Sequence, residues 1–316
     1  MRSTGARVRQ VTVEARAKLN LFLAVGPRRS DGYHDLATVF QSITLADTLV
    51  IEPRRRGFSL VLRTEETALR GRGSFSGEAA VPAGADNLVL RAARLFAERT
   101  GIEGGARFTL IKRIPARAGL GGGSADAAAV LAGLRALHGL RVDRAALLAM
   151  ALELGSDVPF ALIGGTALGF GRGERLHSLR LRRAFRAIIA LPRWRISTAM
   201  AFAKIDQDKY VLTVWRTKLR SAQLLEREQL SAEAAVGLGN TFEEVLGARR
   251  SDLLSLVARL RDAGAVEARM TGSGSAVFGV LGPGLSATKV VGRFTGNEAV
   301  YLARSARSGL QLDLLR

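Results

Sequence analysis

A glycine-rich loop is the strongest chemical signal in this chain. Glycine occupies four of the five positions 119–123, and Ser124 then opens an alanine-rich and leucine-rich segment typical of a helix. Because glycine has no Cβ, such a loop brings several backbone N–H groups close to one anion. The following helix contributes unpaired N–H groups and the positive end of its dipole. The pattern therefore predicts a phosphate-binding site.

The residues after the glycines exclude two large classes of nucleotide site. A Walker A loop requires Lys and then Ser or Thr after its last glycine, whereas Gly123 is followed by Ser124 and Ala125. A dinucleotide-binding fingerprint starting at Gly119 requires Gly or Ala where Ser124 stands. We expect the Ser124 hydroxyl to cap the helix, and it also suits a phosphate or a magnesium ion. A glycine-rich turn with a capped helix and no ligand is the alternative.

The composition is that of an ordinary globular protein. The chain has 316 residues, 47% hydrophobic and 24% charged, enough for two modest domains or one large one. It contains no cysteine, which excludes disulfides and thiolate chemistry and fits a reducing cytosol. No segment approaches the roughly 18 apolar residues of a membrane span. Residues 1–10 lack the apolar region of a signal peptide, so we expect a cytoplasmic protein.

The charge of the chain is strongly positive. Lys and Arg number 47 against 28 Asp and Glu, a formal net charge of +19. This balance favours anionic partners, either nucleotides or nucleic acid. The arginines are spread along the chain, aromatic residues make up only 6%, and no basic arm with interleaved aromatics is present. We therefore expect most of this charge to lie on solvated faces, with nucleic acid the less favoured partner.

Hydrophobic periodicity predicts helices and strands without a regular β-α-β rhythm, which indicates the α+β class. In the strand over residues 11–25, Lys18 and Asn20 share a parity and project from the same face. Asp86 is the predicted N-cap of the first helix. We predict further strands at residues 36–45, 48–52, 106–111, 161–169, 185–191 and 299–304, a strand-turn-strand at 268–281, and helices at 87–100, 144–154, 197–205 and 242–263.

Three segments give weaker structural signals. Residues 54–85 are irregular and suggest a hairpin with long loops, and residues 210–236 give mixed signals. The glycine-rich residues 169–175 suggest a domain boundary. We therefore predict an N-terminal domain at residues 1–170 and a C-terminal domain at 171–316.

The glycine loop occurs with four other segments in a specific order. Residues 17–23 read Ala-Lys-Leu-Asn-Leu-Phe-Leu, 31–34 Asp-Gly-Tyr-His, 154–160 Leu-Gly-Ser-Asp-Val-Pro-Phe, and 270–278 Met-Thr-Gly-Ser-Gly-Ser-Ala-Val-Phe. With the loop, this set resembles the GHMP kinases, the superfamily of galactokinase, homoserine kinase and mevalonate kinase. The first two segments together resemble the branch that phosphorylates a cytidyl diphosphate substrate in isoprenoid precursor biosynthesis. That branch commonly has Asp where this chain has Thr241.

The resemblance implies a fold, an activity and a set of site residues. The implied GHMP kinase fold has a ribosomal-protein-S5-like N-terminal domain and a ferredoxin-like C-terminal domain. The implied reaction is ATP-dependent phosphorylation of an alcohol, with Asp157 as catalytic base and Lys18 stabilising the developing negative charge. ATP and its phosphates are expected at Asn87, Pro115, Gly119, Leu120, Gly121, Gly122, Gly123 and Ser124. The substrate is expected at Asn20, Tyr33, His34, Phe202, Gly272, Ser273 and Gly274, with its cytosine between the aromatic members.

Plainer structural interpretations of these residues stay open. Asp157 also suits a helix or turn cap, and Lys18 an ordinary strand lysine. Phe202 also suits a helix core, and Asn87 a helix N-terminus. Residues 271–275 also suit a tight hairpin turn.

The sequence also predicts a cofactor and partners, and it leaves two alternative functions open. No His, Asp or Glu cluster has metal-site spacing, so we expect Mg2+ to arrive with ATP, held mainly by phosphate oxygens. The expected partners are ATP and a small cytidyl diphosphate substrate, with no membrane partner, and the chain is a monomer or a homodimer. One alternative is a GHMP kinase of homoserine or mevalonate type, which would not need the exposed aromatic platform predicted at Tyr33 and His34. The other is a nucleic-acid-binding protein that uses the net charge.

Overall fold

The computed structural model of the chain describes residues 8–69, 84–225 and 229–315. Within these ranges the strands are β1 (Gln10–Arg28), β2 (His34–Arg54), β3 (Phe58–Thr64), β4 (Gly105–Lys112), β5 (Thr166–Gly171), β6 (Arg175–Leu179), β7 (Arg186–Leu191), β8 (Ala265–Met270), β9 (Val277–Leu281), β10 (Ala299–Arg304) and β11 (Leu310–Leu315). The helices are α1 (Leu88–Thr100), α2 (Gly122–Leu137), α3 (Arg144–Leu154), α4 (Val158–Ile163), α5 (Thr198–Gln207), α6 (Lys209–Leu224), α7 (Ala232–Gly237), α8 (Arg249–Asp262) and α9 (Ala287–Arg293), with a 3-10 turn at Thr241–Val245. None of these helices is long and apolar enough to cross a bilayer. The mixture confirms the α+β class.

The first sheet is organised around the long strand β2. β1 pairs with β2 over most of its length, β5 pairs with its N-terminal half, and β4 pairs with its C-terminal half. β3 joins β4 in parallel, β6 extends β5, and β11 pairs with β1. The prediction of two separate strands at residues 36–45 and 48–52 is wrong, because Asp47 between them is fully buried in a charge cluster instead of interrupting the strand.

The pairing of β1 with β2 is irregular near the predicted catalytic lysine. The register shifts between Arg16 and Lys18 and again between Asn20 and Phe22. Before the shifts, Val13 packs in a core shared with α1, α2 and α3; after them, Phe22 packs in a core shared with the second sheet. A bulge bends a strand and redirects its side chains. Lys18 and Asn20 therefore lie between two register shifts, where the two cores meet.

The second sheet has the antiparallel order β10-β7-β9-β8. Leu253, Leu256 and Leu260 recur at helical spacing on α8 and bury that helix against one face of the sheet. Ile189 and Phe278 from the other face lie in the core shared with β1 and β2. The two sheets are thus joined by a continuous apolar layer.

Two predicted element assignments near the site are wrong. Residues 161–169 are the end of α4 followed by β5, not one strand, because Gly164 and Gly165 adopt positive φ angles of +67° and +73° between them. Asn87 is the N-cap of α1 in place of Asp86, since its side chain accepts a hydrogen bond from the Val89 N–H at 2.8 Å.

The segments with weak signals contain regular structure. Residues 54–85 include β3, which pairs in parallel with β4. The predicted hairpin stays a prediction, because residues 70–83 lie outside the described ranges. Residues 210–236 include most of α6 and α7, and residues 226–228 lie outside the described ranges. Residues 169–175 end β5 and begin β6. The division at residue 170 stays a prediction, and β6 and β11 both pair with first-sheet strands beyond it.

We expect Gly309→Ala to destabilise the protein, because the chain entering β11 packs directly on α4. A Cβ at Gly309 would lie 2.0 Å from the Ala161 carbonyl oxygen. Overpacking of this kind costs about 1–3 kcal/mol, and a lower urea midpoint with an unchanged m-value would report it. Gly237→Ala is the control, since nothing lies within 4 Å of its new Cβ. Equal midpoints for Gly309→Ala and the wild type would contradict this packing.

Candidate active site

A cleft of about 1160 Å3 opens where β1, β2, the glycine loop and the start of α5 meet. It brings together twelve of the predicted site residues: Lys18, Asn20, Tyr33, His34, Gly119, Gly121, Ser124, Asp157, Phe202, Gly272, Ser273 and Gly274. Small-molecule sites usually enclose about 300–1,000 Å3. The cleft is therefore slightly larger than the usual range for a single small-molecule site.

Lys18 and Asn20 lie side by side in the cleft, on the bulged part of β1. Lys18 Nζ donates to Asn20 Oδ1 at 2.6 Å, and Asn20 Nδ2 donates to Thr38 Oγ1 at 2.8 Å on β2. The Thr38 hydroxyl in turn donates to the Phe22 carbonyl at 2.6 Å, which fixes the orientation of the amide. The predicted shared face is confirmed. The Lys18 side chain is only 9% exposed, unlike an ordinary lysine on a solvated strand face.

Asp157 faces Lys18 across the cleft. Its Oδ2 lies 3.5 Å from Lys18 Nζ. Asp157 occupies the N-cap position of α4, but its side chain makes no capping hydrogen bond to that helix. The carboxylate side chain is one-third exposed, at 33%, which leaves it accessible to a ligand.

The glycines of the loop are required by packing as well as by anion access. A Cβ on Gly119 would lie 2.2 Å from the Thr271 carbonyl oxygen, and one on Gly121 would lie 2.9 Å from Lys18 Cγ. Both glycines have positive φ angles, +79° and +72°. Gly121 is also the N-cap residue of α2, so the predicted cap by Ser124 is wrong, and Ser124 lies within the first turn. The start of α2 is therefore left without a side-chain cap.

Backbone hydrogen bonds join the glycine loop to two other parts of the cleft. The Lys18 N–H donates to the Leu120 carbonyl at 2.9 Å, and the Ala276 N–H donates to the Ala118 carbonyl at 3.1 Å. The loop at residues 271–275 thus lies against the glycine loop. The two small-residue loops form one connected wall of the cleft.

Asn240 holds the loop at residues 271–275 from the other side. Its Nδ2 donates to the carbonyls of Met270 and Gly272, each at 2.9 Å. The neighbouring Thr241, where the related branch commonly has Asp, accepts a hydrogen bond from the Val25 N–H at 3.3 Å. This residue therefore links the 3-10 turn to β1 and does not enter the cleft lining.

Tyr33, His34 and Phe202 form an aromatic wall at one end of the cleft. The rings of His34 and Phe202 stack with centroids 4.9 Å apart. His34 Nδ1 lies 2.9 Å from the Gly26 carbonyl oxygen, which only accepts, so Nδ1 carries a hydrogen. The prediction of an exposed pair is half wrong: Tyr33 is 50% exposed, but His34 is buried at 7%. The Arg172 guanidinium lies 3.7 Å from the Tyr33 ring centroid and covers one face.

Five residues predicted to contact ATP are not part of the cleft lining: Asn87, Pro115, Leu120, Gly122 and Gly123. Pro115 and Leu120 are buried. Asn87 caps α1, as its plainer interpretation requires. A Cβ on Gly123 would lie 3.3 Å from Leu88 Cδ1, so the starts of α1 and α2 are adjacent. Contacts of these five residues with ATP stay predictions.

A buried charge cluster joins the two ends of the glycine loop. Lys112 Nζ donates to the carboxylates of Asp47 and Asp126, the second at 2.7 Å, and the three side chains are at most 4% exposed. Asp47 Oδ1 also accepts the backbone N–H groups of Arg113 and Ile114, at 2.5 and 2.8 Å. Since Lys112 ends β4 and Asp126 lies on α2, the cluster sets the distance that the loop must span.

The cluster carries an electrostatic cost. Burial raises the pKa of the Asp126 carboxyl to about 7, although the Lys112 ammonium opposes the rise. Burial also lowers the pKa of Lys112, but Asp126 and Asp47 outweigh it and raise that pKa above its usual value. Asp126 Oδ1 has no hydrogen-bond partner among the described residues. Neutral Asp126 leaves one ammonium and one carboxylate, which avoids a buried net charge.

Sequence reasoning missed the arginines of the cleft, namely Arg117, Arg172, Arg193 and Arg195. Arg172 lies in the stretch interpreted as a domain boundary, and its Nε donates to Ser156 Oγ at 3.2 Å, next to Asp157. In a chain with 47 Lys and Arg, no local pattern distinguishes these four from the solvated majority. Only the tertiary fold places them around the cleft.

Comparison with known families agrees with this arrangement. The family model described as GHMP kinases N terminal domain matches residues 87–165, and the one described as GHMP kinases C terminal matches residues 219–295. A 4-diphosphocytidyl-2-C-methyl-D-erythritol kinase of Moorella thermoacetica is 40% identical over 283 residues, 90% of this chain and 94% of the relative. The chain belongs to the GHMP kinase family. The resemblance found in the five sequence segments is thus confirmed, and this family consists of enzymes.

Solved structures support the same assignment for this GHMP kinase. The crystal structure of a 4-(cytidine 5'-diphospho)-2C-methyl-D-erythritol kinase is 34% identical, covers 93% of this chain and 99% of its own, and superposes with a TM-score of 0.69. A homoserine kinase from Cytophaga hutchinsonii, 18% identical, covers 99% of both chains with a TM-score of 0.71. The second likeness concerns the fold alone. The expected GHMP kinase fold is confirmed.

Gly119→Ala is expected to impair the kinase, because its new Cβ forces the two loops apart at the Thr271 carbonyl. We expect kcat/KM for ATP to fall at least about tenfold, since small misplacements of catalytic groups have large effects on rate. Gly101→Ala is the control: its φ is +69° but nothing lies within 4 Å of the new Cβ. That variant should lose about 1 kcal/mol of stability from backbone strain and keep its kcat/KM. Similar kinetics for both variants would show that loop packing does not matter.

Asp126→Asn is expected to change how stability depends on pH. Because the folded pKa is raised above the unfolded value near 3.8, the folded state holds the extra proton between about pH 4 and 7. The contribution of Asp126 to the free energy of unfolding is therefore largest below pH 4 and falls as pH rises toward 7. Urea unfolding from pH 4 to 8 should show the wild type losing stability relative to Asp126→Asn across this window, and no further loss above it. The exposed Asp252→Asn is the control, and a difference independent of pH would contradict the burial of an ionisable Asp126.

Proposed function

We propose that this GHMP kinase transfers the γ-phosphate of ATP to the 2-hydroxyl of 4-diphosphocytidyl-2-C-methyl-D-erythritol, in isoprenoid precursor biosynthesis. The observation that carries the proposal is Asp157, 3.5 Å from Lys18, in a cleft that also contains a glycine loop and an aromatic wall. A relative named for this activity aligns over 90% of the chain. The arrangement supplies a base, a cation, a phosphate cradle and a surface for a nucleobase in one cavity.

The start of α2 supports binding of the ATP phosphates. The first N–H groups of a helix have no intrahelical acceptor, and the dipole adds positive charge at that end. Within the described ranges no group of three or more His, Cys, Asp or Glu is arranged to hold a metal. We therefore infer that Mg2+ enters with ATP, and that the Ser124 hydroxyl, which lines the cleft, suits it. Bound Mg2+ supplies charge neutralisation at the transferring phosphoryl group.

Asp157 is suited to take the proton of the acceptor hydroxyl. The hydroxyl oxygen forms a bond to the γ-phosphorus, its proton passes to the Asp157 carboxylate, and the bond from γ-phosphorus to the bridging oxygen breaks to release ADP. Lys18 stabilises the negative charge that develops beside it. Its hydrogen bond to Asn20 directs the ammonium toward the reacting groups. The Asn20 amide keeps one free donor position for a polyol hydroxyl, since its oxygen already accepts from Lys18 and, at 3.5 Å, from the Thr271 hydroxyl.

The aromatic wall suits a cytosine. Tyr33 offers an exposed ring, and Phe202 lies beyond it on the stacked face of His34. His34 Nε2 lies 3.4 Å from Asp206 Oδ1. The edge of the imidazole and the carboxylate suit hydrogen bonds to the edge of a base such as cytosine. This arrangement favours the cytidyl substrate over homoserine or mevalonate, which have no base.

We also propose that the enzyme is cytoplasmic and that its partners are ATP and the cytidyl diphosphate. The absence of cysteine from the sequence is compatible with a reducing compartment. The net charge of +19 favours such small anions, since the field of a cationic cleft raises their local concentration.

Asp157→Asn is expected to lower kcat at least about a hundredfold, because it removes the base without changing the side-chain shape. The measurement is ADP release with Mg-ATP and 4-diphosphocytidyl-2-C-methyl-D-erythritol. Asp262→Asn, an exposed residue on α8, is the control and should retain wild-type kcat. No turnover by the wild type above a blank without enzyme would overturn the proposed function. Near-normal kcat for Asp157→Asn would give Asp157 a structural role only.

Tyr33→Ala is expected to raise KM for the cytidyl substrate about tenfold or more and to leave KM for ATP unchanged. Stacking of a base on an aromatic side chain contributes about 1–3 kcal/mol, and Tyr33 has a ring that is half exposed in the cleft. Tyr33→Phe keeps the ring and should behave like the wild type. An equal loss of affinity for both substrates would contradict a role in base recognition.

A further inference from the structure

The cleft has a large excess of positive charge. Among its described lining residues, five are cationic and one, Asp157, is anionic; the cations are Lys18, Arg117, Arg172, Arg193 and Arg195. Lys18 pairs with Asp157, and Arg172 lies over Tyr33. No carboxylate in the described part of the chain forms an ion pair with Arg117, Arg193 or Arg195. These three guanidinium groups therefore have charge available for an anion.

Arg117 is held in an unfavourable backbone conformation. It is the one non-glycine residue with positive φ, +55°, among those that the structure describes. The residues on either side are fixed, since the Ala116 carbonyl accepts Arg195 Nη1 at 3.3 Å and the Ala118 carbonyl accepts the Ala276 N–H at 3.1 Å. Strain of this kind persists only where the surroundings impose it and is common at ligand sites. Glycine would adopt this turn without strain, but it would lack the guanidinium.

Arg193 and Arg195 lie on the short segment between β7 and α5. This segment packs on the loop at residues 271–275, because a Cβ on Gly274 would lie 2.7 Å from Ile196 Cδ1. At the start of α5, Thr198 Oγ1 and Ser273 Oγ lie 2.7 Å apart. The segment therefore bridges the chain before the glycine loop and the loop at residues 271–275. Its two arginines line the same cleft as Arg117.

The segment leads directly into α5, the helix that carries Phe202 of the aromatic wall. Phe202 lies one helical turn after Thr198, and Arg195 lies just before the Ser197 N-cap. A base stacked near Phe202 therefore has its attached phosphates within a short distance of the positive N-terminal end of α5. The ATP phosphates are assigned to a different helix start, that of α2.

We propose that Arg117, Arg193 and Arg195 form an anion subsite that binds the diphosphate of the cytidyl substrate and so determine specificity for a nucleoside diphosphate derivative over a nucleoside. This inference rests on the proposed function, since it assigns the base to the aromatic wall. Guanidinium groups bind phosphate oxygens through paired, charge-assisted hydrogen bonds. The subsite also explains why three arginines without carboxylate partners line one cleft.

The test is equilibrium binding of CDP and of cytidine, measured by calorimetry with saturating Mg-ADP to occupy the ATP site. We expect the wild type to bind CDP at least about tenfold more tightly than cytidine, the effect of one or two hydrogen bonds to a charged group. In Arg193→Gln/Arg195→Gln this ratio should fall toward one, while the affinities for cytidine and Mg-ADP stay within twofold. Arg55→Gln/Arg56→Gln is the charge-matched control, since both arginines are exposed outside the cleft, and its ratio should equal that of the wild type.

Arg117→Gly separates the role of the guanidinium from folding. Because glycine tolerates positive φ, the thermal midpoint should stay the same or rise, while the ratio of CDP to cytidine affinity should fall severalfold. A ratio unchanged in both the double variant and Arg117→Gly would overturn the subsite and leave the proposed function intact. If the variants lost affinity for Mg-ADP and kept their affinity for CDP, the arginines would belong to the ATP site. That result would also overturn the proposed anion subsite. If the wild type bound neither CDP nor cytidine, the proposed function itself would fail.

Discussion

The packing of Lys18 between two small-residue loops is the constraint on which the cleft depends. Its aliphatic stem fills the space that a Cβ on Gly121 would need, and its ammonium lies 3.5 Å from the position of a Cβ on Gly272. Register shifts flank Lys18 and Asn20 in β1, and such bulges bend a strand locally. The ammonium can therefore contact Asn20 and Asp157 together. Packing therefore requires glycine at 121 beside Lys18, and glycine at 119 beside the Thr271 carbonyl.

The buried cluster of Asp47, Lys112 and Asp126 positions the glycine loop, but burying its three ionisable groups is unfavourable. Three ionisable groups lie in an apolar interior, where two carboxylates compete for one ammonium. Replacing such a cluster with apolar residues is often neutral or stabilising, so it is weak evidence for stability. What it does provide is a fixed distance between the end of β4 and the start of α2. The phosphate loop spans that distance, and the cleft arginines add the charge that attracts anions to it.

Much of the candidate site could be predicted because its signals are local. Parity placed Lys18 and Asn20 on one face, and that face is the one that enters the cleft. The parts that could not be predicted depend on contacts between distant segments. In the sequence, Asp126 is only a polar residue in an alanine-rich helix. Its ion pair with Lys112, 14 residues away, is visible only in the folded chain. The alternation of β11 carries no sign that it pairs with β1 at the other end of the chain.

The sequence by itself determined which groups are available to this protein: a glycine loop ahead of a helix, a lysine and a carboxylate of the types that phosphoryl transfer uses, and an aromatic pair. It did so because backbone freedom and side-chain functional groups are properties of single residues and short spacings. The tertiary structure alone decided which charged groups act together. Coulombic interactions and desolvation depend on distance and burial through space, so only the folded chain distinguishes Arg117, Arg193 and Arg195 from the solvated arginines, and Asp126 from an ordinary carboxylate.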